Sequence, residues 1–200
     1  ALILEQQQYI DKPLVSVLWG EDCVLLDKCE YAQLAIFCLE YALYKLWLSF
    51  GITPQALIGH SDGEYAAATV AGVFSLKDCL KLLAKRSQLI ASLPEAGVMV
   101  AIEANSDEVG AAIAPYIKHV GIAAINSPHG TVIAGNASTV EEIAHKFATL
   151  QLKVKHINIS HAYHSYLFEP IIPQMQELFN NIVLSEPNSM VGATDIVTVV

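Results

Sequence analysis

The sequence predicts an α/β protein in which a parallel-sheet core carries a smaller inserted subdomain. Three observations support this fold class. A short apolar run, PQALIGH, stands between segments of helical periodicity. A serine directly after that run lies between two glycines. Farther along, the chain changes to short strand-like and helix-like segments over about residues 97–157. The length of 200 residues suits one domain with a smaller inserted unit.

The core is predicted from periodicity and from the residues that interrupt it. Apolar residues recur at helical spacing over 31–50, and Gly51 with Pro54 marks the end of that helix. The run PQALIGH has the character of a buried parallel strand. The alanine-rich segment 63–73 predicts a helix packed closely against the sheet, and the leucine spacing over 76–90 predicts a second helix.

The middle of the chain predicts the inserted subdomain. Strands are expected at 98–104, 120–126 and 131–135 and in LKVKHINI, and helices at 106–117, with Ser106 as N-cap, and at about 138–150. The order strand, helix, strand, strand, helix, strand is that of ferredoxin-like units. We therefore predict a ferredoxin-like subdomain at 97–157 and a core formed by 1–96 and 158–200.

Composition excludes several classes of function. The chain has 11 basic and 20 acidic residues, a net charge of −9, and no cluster of Lys and Arg, which argues against nucleic-acid or anionic-membrane binding. The most apolar segment, 32–52, contains Glu40 and Lys45 and is predicted to be a buried helix rather than a membrane span. No secretory signal is recognisable. Scattered cysteines indicate reduced thiols in a cytoplasmic protein: Cys23, Cys29, Cys38 and Cys79.

The serine between glycines is the strongest candidate for chemistry. The segment Gly59-His60-Ser61-Asp62-Gly63 fits G-x-S-x-G, the nucleophile elbow of α/β-hydrolase-like cores, and the predicted context is strand before and helix after. A helix that begins just after Ser61 would direct backbone N–H groups, with that of Asp62 first, toward a developing oxyanion. The alternative is an inert turn, because glycine and serine are common in turns.

A serine hydroxyl needs a base, and the chain offers seven histidines. The pair in SHAYHSYLF, His161 and His164, follows the last strand of the insert, where the chain should return to the main sheet. Two polar loop residues or half of a metal site are the alternatives. A third metal ligand has no obvious placement, so no metal is expected.

Four blocks of the sequence carry a resemblance to a known family: YAQLAIFCLEYALYKLWLSFGITPQALI, GHSDGEYAAATVAGVFSLKDCLKLLAKRSQLI, NSPHGTVIAG and SHAYHSYLFEPI. In these blocks and in their order, the chain resembles the acyltransferase domains of modular polyketide synthases and the malonyl-CoA:acyl carrier protein transacylases of fatty-acid synthesis. The resemblance covers about residues 30–175.

The resemblance implies a reaction and its residues. It implies that Ser61 accepts a malonyl group from coenzyme A, that His164 is its general base, and that an acyl carrier protein thiol then takes the acyl group. It also implies that Arg86 binds the free malonyl carboxylate, a task that suits a planar guanidinium. Without the resemblance, a solvated helix residue would be the preferred interpretation of Arg86.

Further expectations follow from the same resemblance. His161-Ala162-Tyr163-His164 is nearer to the malonyl-selective tetrapeptide HAFH than to YASH of methylmalonyl-selective domains, a preference of about 1–3 kcal/mol. His161 and Tyr163 are thereby expected to contact substrate, as are Gln33 and Asn126. The coenzyme A thioester is a substrate, and no permanently bound cofactor is expected. The implied partners are an acyl carrier protein with its phosphopantetheine arm and neighbouring synthase domains.

The chain also departs from the family pattern. No glycine-glutamine motif, which would complete the oxyanion hole, occurs before Leu18, a difference of about 2.7–4 kcal/mol if nothing replaces it. The core is therefore expected to be incomplete at both ends. Asp62 stands where the family has an apolar residue or glutamine; its carboxylate would repel malonyl or raise the basicity of His164. Two other functions stay open: a serine thioester hydrolase and an inactive interaction module of a synthase.

Overall fold

The computed structural model describes residues 3, 5, 8–94 and 97–193. These residues form two compact units, one that runs to Ser92 and resumes at Pro173, and one from Leu93 to Ile172. One unit holds a parallel sheet and the other an antiparallel sheet, which confirms the mixed α/β fold class. The predicted domain boundaries stay a prediction, and residues 194–200 of the predicted core lie outside the described residues.

The first unit begins with helices. Its first elements are α1 (Leu14–Trp19), a 3₁₀ helix (Cys23–Asp27) and α2 (Cys29–Ser49). Gly51 ends α2 as predicted: its φ is +80°, and the N–H groups of Gly51 and Ile52 donate to the carbonyls of Leu48 and Trp47. A glycine tolerates this left-handed conformation without the steric penalty that a side chain would add.

The predicted burial of α2 is correct only for part of its first half, where Ile36 is already 47% exposed. Leu34 and Phe37 are buried in the core of the unit. In the second half, Leu43 is 46% exposed and Trp47 is 54% exposed. Hydropathy alone cannot distinguish the two halves, since burial depends on which elements pack against the helix.

The parallel sheet of the first unit has two strands in the described chain. β1 (Ala56–Gly59) pairs in parallel with β6 (Met190–Ala193), from Ala56 beside Met190 to Gly59 beside Ala193. The parallel strand was predicted correctly, but its burial was not, because Ile58 is 74% exposed. Among the described residues β1 has one neighbouring strand, β6, which does not cover the side chain of Ile58.

Two helices follow β1 and complete the core of this unit. They are α3 (Gly63–Val70) and α4 (Leu76–Ala91), both as predicted. Ser75 caps α4 by accepting a hydrogen bond from the N–H of Asp78. Buried side chains of α4, Leu80 and Leu83 among them, pack in the same core as those of α2.

The second unit is the ferredoxin-like subdomain. Its elements are β2 (Val98–Ile102), α5 (Ser106–Ile113), a 3₁₀ turn (Ala114–Tyr116), β3 (Val120–Ser127), β4 (Gly130–Gly135), α6 (Ala137–Thr149) and β5 (Val154–Ile157). The strands form one antiparallel sheet in the order β3-β4-β2-β5. The chain continues through a 3₁₀ helix (Tyr166–Ile171), α7 (Ile172–Asn180) and the strand β6.

The predicted N-cap of α5 was wrong by one residue. Asn105 rather than Ser106 caps the helix: its side chain accepts from the N–H of Glu108 at 2.8 Å, and the Glu108 carboxylate accepts from the N–H of Asn105 at 3.4 Å. Both residue types cap helices well. The glutamate three residues after Asn105 decides between them, because it closes the reciprocal pair.

The cysteines and the long helix were the other features with predicted environments. All four cysteines are free thiols, with Cys29 and Cys79 buried, Cys38 partly buried and Cys23 exposed. Among the described residues, no helix has the length and apolar character needed to cross a membrane.

Candidate active site

Ser61 occupies the sharp turn between β1 and α3. Its φ is +52°, in the left-handed region that non-glycine residues seldom adopt. A residue held in this region stores strain that the surrounding structure must maintain, and such residues concentrate at functional sites. Ser61 thus has the local backbone of a nucleophile elbow.

The two glycines of the motif have different roles. A Cβ on Gly59 would lie 2.3 Å from the Cα of Glu64 and 2.4 Å from its nitrogen, so the strand and the start of α3 approach too closely for any side chain. Among the described residues, a Cβ on Gly63 would meet only the Glu40 carboxylate, at an ordinary 3.5 Å. The close approach of strand and helix at this elbow therefore requires a glycine at position 59 and not at position 63.

The start of α3 fixes the elbow through backbone hydrogen bonds. The N–H of Gly63 donates to the carbonyl of His60 and that of Glu64 to the carbonyl of Ser61, each at 3.0 Å. The N–H of Tyr65 donates to the carbonyl of Asp62. The N–H of Asp62, the backbone group that was predicted to be an oxyanion donor, is not a donor in these three bonds.

His164 lies in the second unit, in a turn that is also held in a strained conformation. Its φ is +57°. The hydroxyl of the buried Ser165 donates to the carbonyl of Ala162 at 2.6 Å and accepts from the N–H of Leu167 at 3.3 Å. Two of the residues predicted to carry the chemistry, Ser61 and His164, thus share an uncommon backbone conformation.

The residues before His164 anchor this turn. His161 is buried, with Nδ1 2.9 Å from the hydroxyl oxygen of Ser160 and Nε2 3.4 Å from the carbonyl of Leu93. Because a carbonyl only accepts, the contact with Leu93 requires a proton on Nε2. The ring of Tyr163 packs against Phe168 at 5.2 Å between centroids.

A metal site was one alternative for the two histidines. Within the part of the chain that the structure describes, no three His, Cys, Asp or Glu side chains are grouped so that they could hold a metal ion. The observed contacts of His161 are those of a buried histidine that fixes a loop.

Arg86 is held in the first unit by two acceptors. Its Nη1 donates to Oε1 of Gln33 at 2.7 Å and to Oδ1 of Asp62 at 2.9 Å. The guanidinium also lies 5.5 Å from the centre of the Tyr65 ring, a cation–π distance. The side chain is only 14% exposed, so Arg86 is not a solvated helix residue.

The Asp62 contact was missed by sequence reasoning. Asp62 was expected to repel malonyl or to act on His164, and its contact with Arg86 was not foreseen. The two residues are 24 positions apart, Asp62 at the N-cap of α3 and Arg86 within α4, and no local pattern connects them.

Two polar groups of α2 stand out near the elbow. Gln33 is buried, and among the described residues its Nε2 has no hydrogen-bond partner. Oε2 of Glu40 is likewise buried and has no partner in the same residues, and burial, followed by the charge of Asp62, raises the pKa of Glu40. Glu40 was not among the site residues predicted from the sequence. Its place two helical turns after Gln33, on the same helix face, was the available signal.

Asn126 has the least distinctive environment among the predicted site residues. It lies exposed near the end of β3, in the second unit, where the pairing with β4 shifts register between Ile125 and Ser127. Gln33, Arg86 and Ser61 belong to the first unit.

Comparisons with known proteins agree on one family. The family model described as "Acyl transferase domain" matches residues 3–198. A type I polyketide synthase of phenolphthiocerol synthesis from Mycobacterium marinum is 39% identical over 183 residues, which are 92% of this chain and 9% of that synthase.

Solved structures give the same result. The acyltransferase domain from the second module of the salinomycin polyketide synthase has a TM-score of 0.87 and 37% identity over 94% of this chain and 45% of the solved chain. The malonyl CoA-acyl carrier protein transacylase of Coxiella burnetii has a TM-score of 0.85 and 28% identity, over 95% of this chain and 64% of that one. The chain thus spans less than two thirds of each of these relatives.

Proposed function

We propose, since this chain belongs to the acyl transferase domain family of polyketide synthases, that it transfers a malonyl group from coenzyme A to the thiol of an acyl carrier protein. The observation that carries this proposal is the left-handed backbone of Ser61 at a strand-to-helix turn, closed by a Gly59 that admits no side chain. That geometry exposes a serine hydroxyl ahead of a helix N-terminus, as acyl-serine chemistry requires.

In the first half-reaction, the Ser61 hydroxyl attacks the thioester carbonyl while its proton passes to His164. The N–H of Asp62 donates to the oxyanion of the tetrahedral intermediate, aided by the positive end of the α3 dipole. The intermediate expels coenzyme A, whose sulfur receives the proton from His164. A malonyl ester of Ser61 remains.

In the second half-reaction, the carrier-protein thiol gives its proton to His164 and its sulfur attacks the ester carbon. The intermediate collapses, Ser61 leaves with the proton of His164, and the malonyl thioester of the carrier protein is released. No external oxidant, reductant or metal is needed for the balance of either step.

Arg86 binds the free carboxylate of the malonyl group in this proposal. Its fixed, largely buried guanidinium supports this role, because charge-assisted bonds are stronger away from water. The unpartnered Nε2 of Gln33 beside it offers a further donor. Tyr163 narrows the acyl pocket in favour of malonyl over methylmalonyl, and His161 fixes the loop that carries His164. We propose that the reaction takes place in the cytoplasm. Neighbouring synthase domains would be further partners.

Intact-protein mass spectrometry tests the proposal. The chain is incubated briefly with malonyl-CoA, methylmalonyl-CoA or acetyl-CoA, and free coenzyme A is measured in parallel. We expect a malonyl adduct on the wild-type chain, none on Ser61→Ala, and a shift toward acetyl on Arg86→Ala. Arg86→Lys is the matched control, because it keeps the charge and loses the planar fork.

The remaining outcomes identify the alternatives. Free coenzyme A without an adduct on Ser61 would indicate a thioester hydrolase. Neither adduct nor free coenzyme A, from a chain that unfolds cooperatively, would indicate an inactive interaction module. Either result would overturn the proposed transfer.

A further inference from the structure

The Asp62 side chain does not cap α3, although Asp62 lies at the N-terminus of that helix. Asp62 is the N-cap residue of α3, a place where an aspartate commonly accepts from the backbone N–H groups of the first turn. Its carboxylate makes no capping bond. It instead accepts from Nη1 of Arg86 at 2.9 Å, so the ion pair takes precedence over the cap.

This ion pair is shielded from water. The Arg86 side chain is 14% exposed and that of Asp62 is 23% exposed. Oppositely charged groups at this distance attract much more strongly here than at the open surface, because less solvent screens them. The positive charge of Arg86 is therefore already balanced by the charge of Asp62 before any substrate binds.

The surroundings add negative charge. Burial, and after it the charge of Asp62, raises the pKa of Glu40. Burial also raises the pKa of Tyr65, with Arg86 opposing this effect and Asp62 and Glu64 adding to it. An incoming carboxylate would meet a cation that already has an anionic partner, Asp62. It must displace Asp62 or share Arg86 with it.

We propose that Asp62 competes with the carboxylate of the acyl group for Arg86, and that it lowers the preference of this site for carboxylated over neutral acyl groups. The inference rests on the proposed function, in which Arg86 receives that carboxylate. A neutral acyl group such as acetyl has no charge to exchange with Asp62. The competition therefore narrows the difference in affinity between malonyl-CoA and acetyl-CoA, and makes Asp62 a specificity-determining residue.

If Asp62 instead positions Arg86 for the substrate, its removal should change malonyl binding in the opposite direction. If its carboxylate held Arg86 in place for the substrate, removal of that carboxylate would weaken malonyl binding. Asp62→Asn separates the two, because asparagine keeps the shape and the backbone N–H of Asp62 but replaces the carboxylate by a neutral amide.

Binding in a Ser61→Ala background tests the inference without chemistry. The affinities of malonyl-CoA and acetyl-CoA are measured by titration calorimetry with and without Asp62→Asn. We expect Asp62→Asn to increase the ratio of malonyl-CoA to acetyl-CoA affinity about tenfold. An adjacent positive charge lowers the pKa of a carboxyl group by about 1 to 3, and the lower end of that range corresponds to a factor of about ten. Glu64→Gln is the charge-matched control, because Glu64 lies in the same turn and forms no ion pair with Arg86 in the described chain. We expect it to leave the ratio unchanged.

A double-mutant cycle identifies the route of the effect. If Asp62 acts through Arg86, the gain from Asp62→Asn disappears when Arg86 is replaced by alanine. A gain that survives that replacement would show general repulsion and overturn the inference. An unchanged or lower ratio in Asp62→Asn overturns it too, as does the absence of malonyl-CoA binding to every variant. Failure of the proposed function is seen separately, as the absence of an adduct on a chain that retains Ser61.

Discussion

Replacement of Gly59 by alanine should disrupt the elbow itself. The added methyl group would lie 2.3 Å from the Cα of Glu64 and 2.6 Å from the carbonyl carbon of Gly63. These are backbone atoms, which cannot rotate away as a side chain would. To restore ordinary contact, β1 and the start of α3 would have to separate by about 1 Å, in a region whose packing leaves little room.

The expected cost is at the upper end for overpacked sites, about 3 kcal/mol or more. For a chain of this size that corresponds to a fall in Tm of roughly 10 °C. Urea unfolding followed by circular dichroism measures the free energy of unfolding, and the acyl adduct of Ser61 measured in parallel should form more slowly. The strained backbone of Ser61 depends on the same approach of strand and helix.

Gly63→Ala is the matched control within the same motif. Its methyl group would meet only the end of the flexible Glu40 side chain at 3.5 Å, and alanine favours a helix over glycine by about 1 kcal/mol. Gly63→Ala should therefore leave stability unchanged or raise it. Similar losses in both variants, or no loss in Gly59→Ala, would refute the assignment of distinct roles to the two glycines.

Three further predictions concern the backbone strain and the buried ionisable groups. Ser61→Gly should raise the free energy of unfolding by about 1 kcal/mol relative to Ser61→Ala, because glycine adopts a positive φ without strain, and mass spectrometry should find no adduct on either variant. Glu40→Gln should be increasingly more stable than the wild type as pH rises above the ordinary glutamate pKa of 4.5. Burial raises the pKa of Glu40, so the folded state binds its proton more tightly and wild-type stability falls as that proton leaves; parallel slopes in urea unfolding at several pH values would contradict this. Finally, a thiol reagent should label the exposed Cys23 rapidly and Cys29 and Cys79 only on unfolding, since burial raises the pKa of each of these two to about 12; fast labelling of either in the folded chain would contradict their burial.

The sequence alone was sufficient wherever the physical cause is local. The end of α2 at Gly51, the elbow at Ser61 and the succession of strands and helices along the ferredoxin-like subdomain follow from glycine conformation and hydrophobic period. Such features depend on residues a few positions apart. The cap of α5 was predicted one residue too late, because the adjacent residues Asn105 and Ser106 are both good capping residues.

Only the tertiary structure decided what surrounds Arg86. Its partners Gln33 and Asp62 are 53 and 24 residues away, and they meet because α2 and α4 pack in one core and α3 begins beside them. The exposure of β1 and of the second half of α2 is decided in the same way, by which elements pack against them. Hydrophobic periodicity predicts which face of an element is apolar. The partner of a charged side chain depends instead on how the elements that carry the two groups pack together.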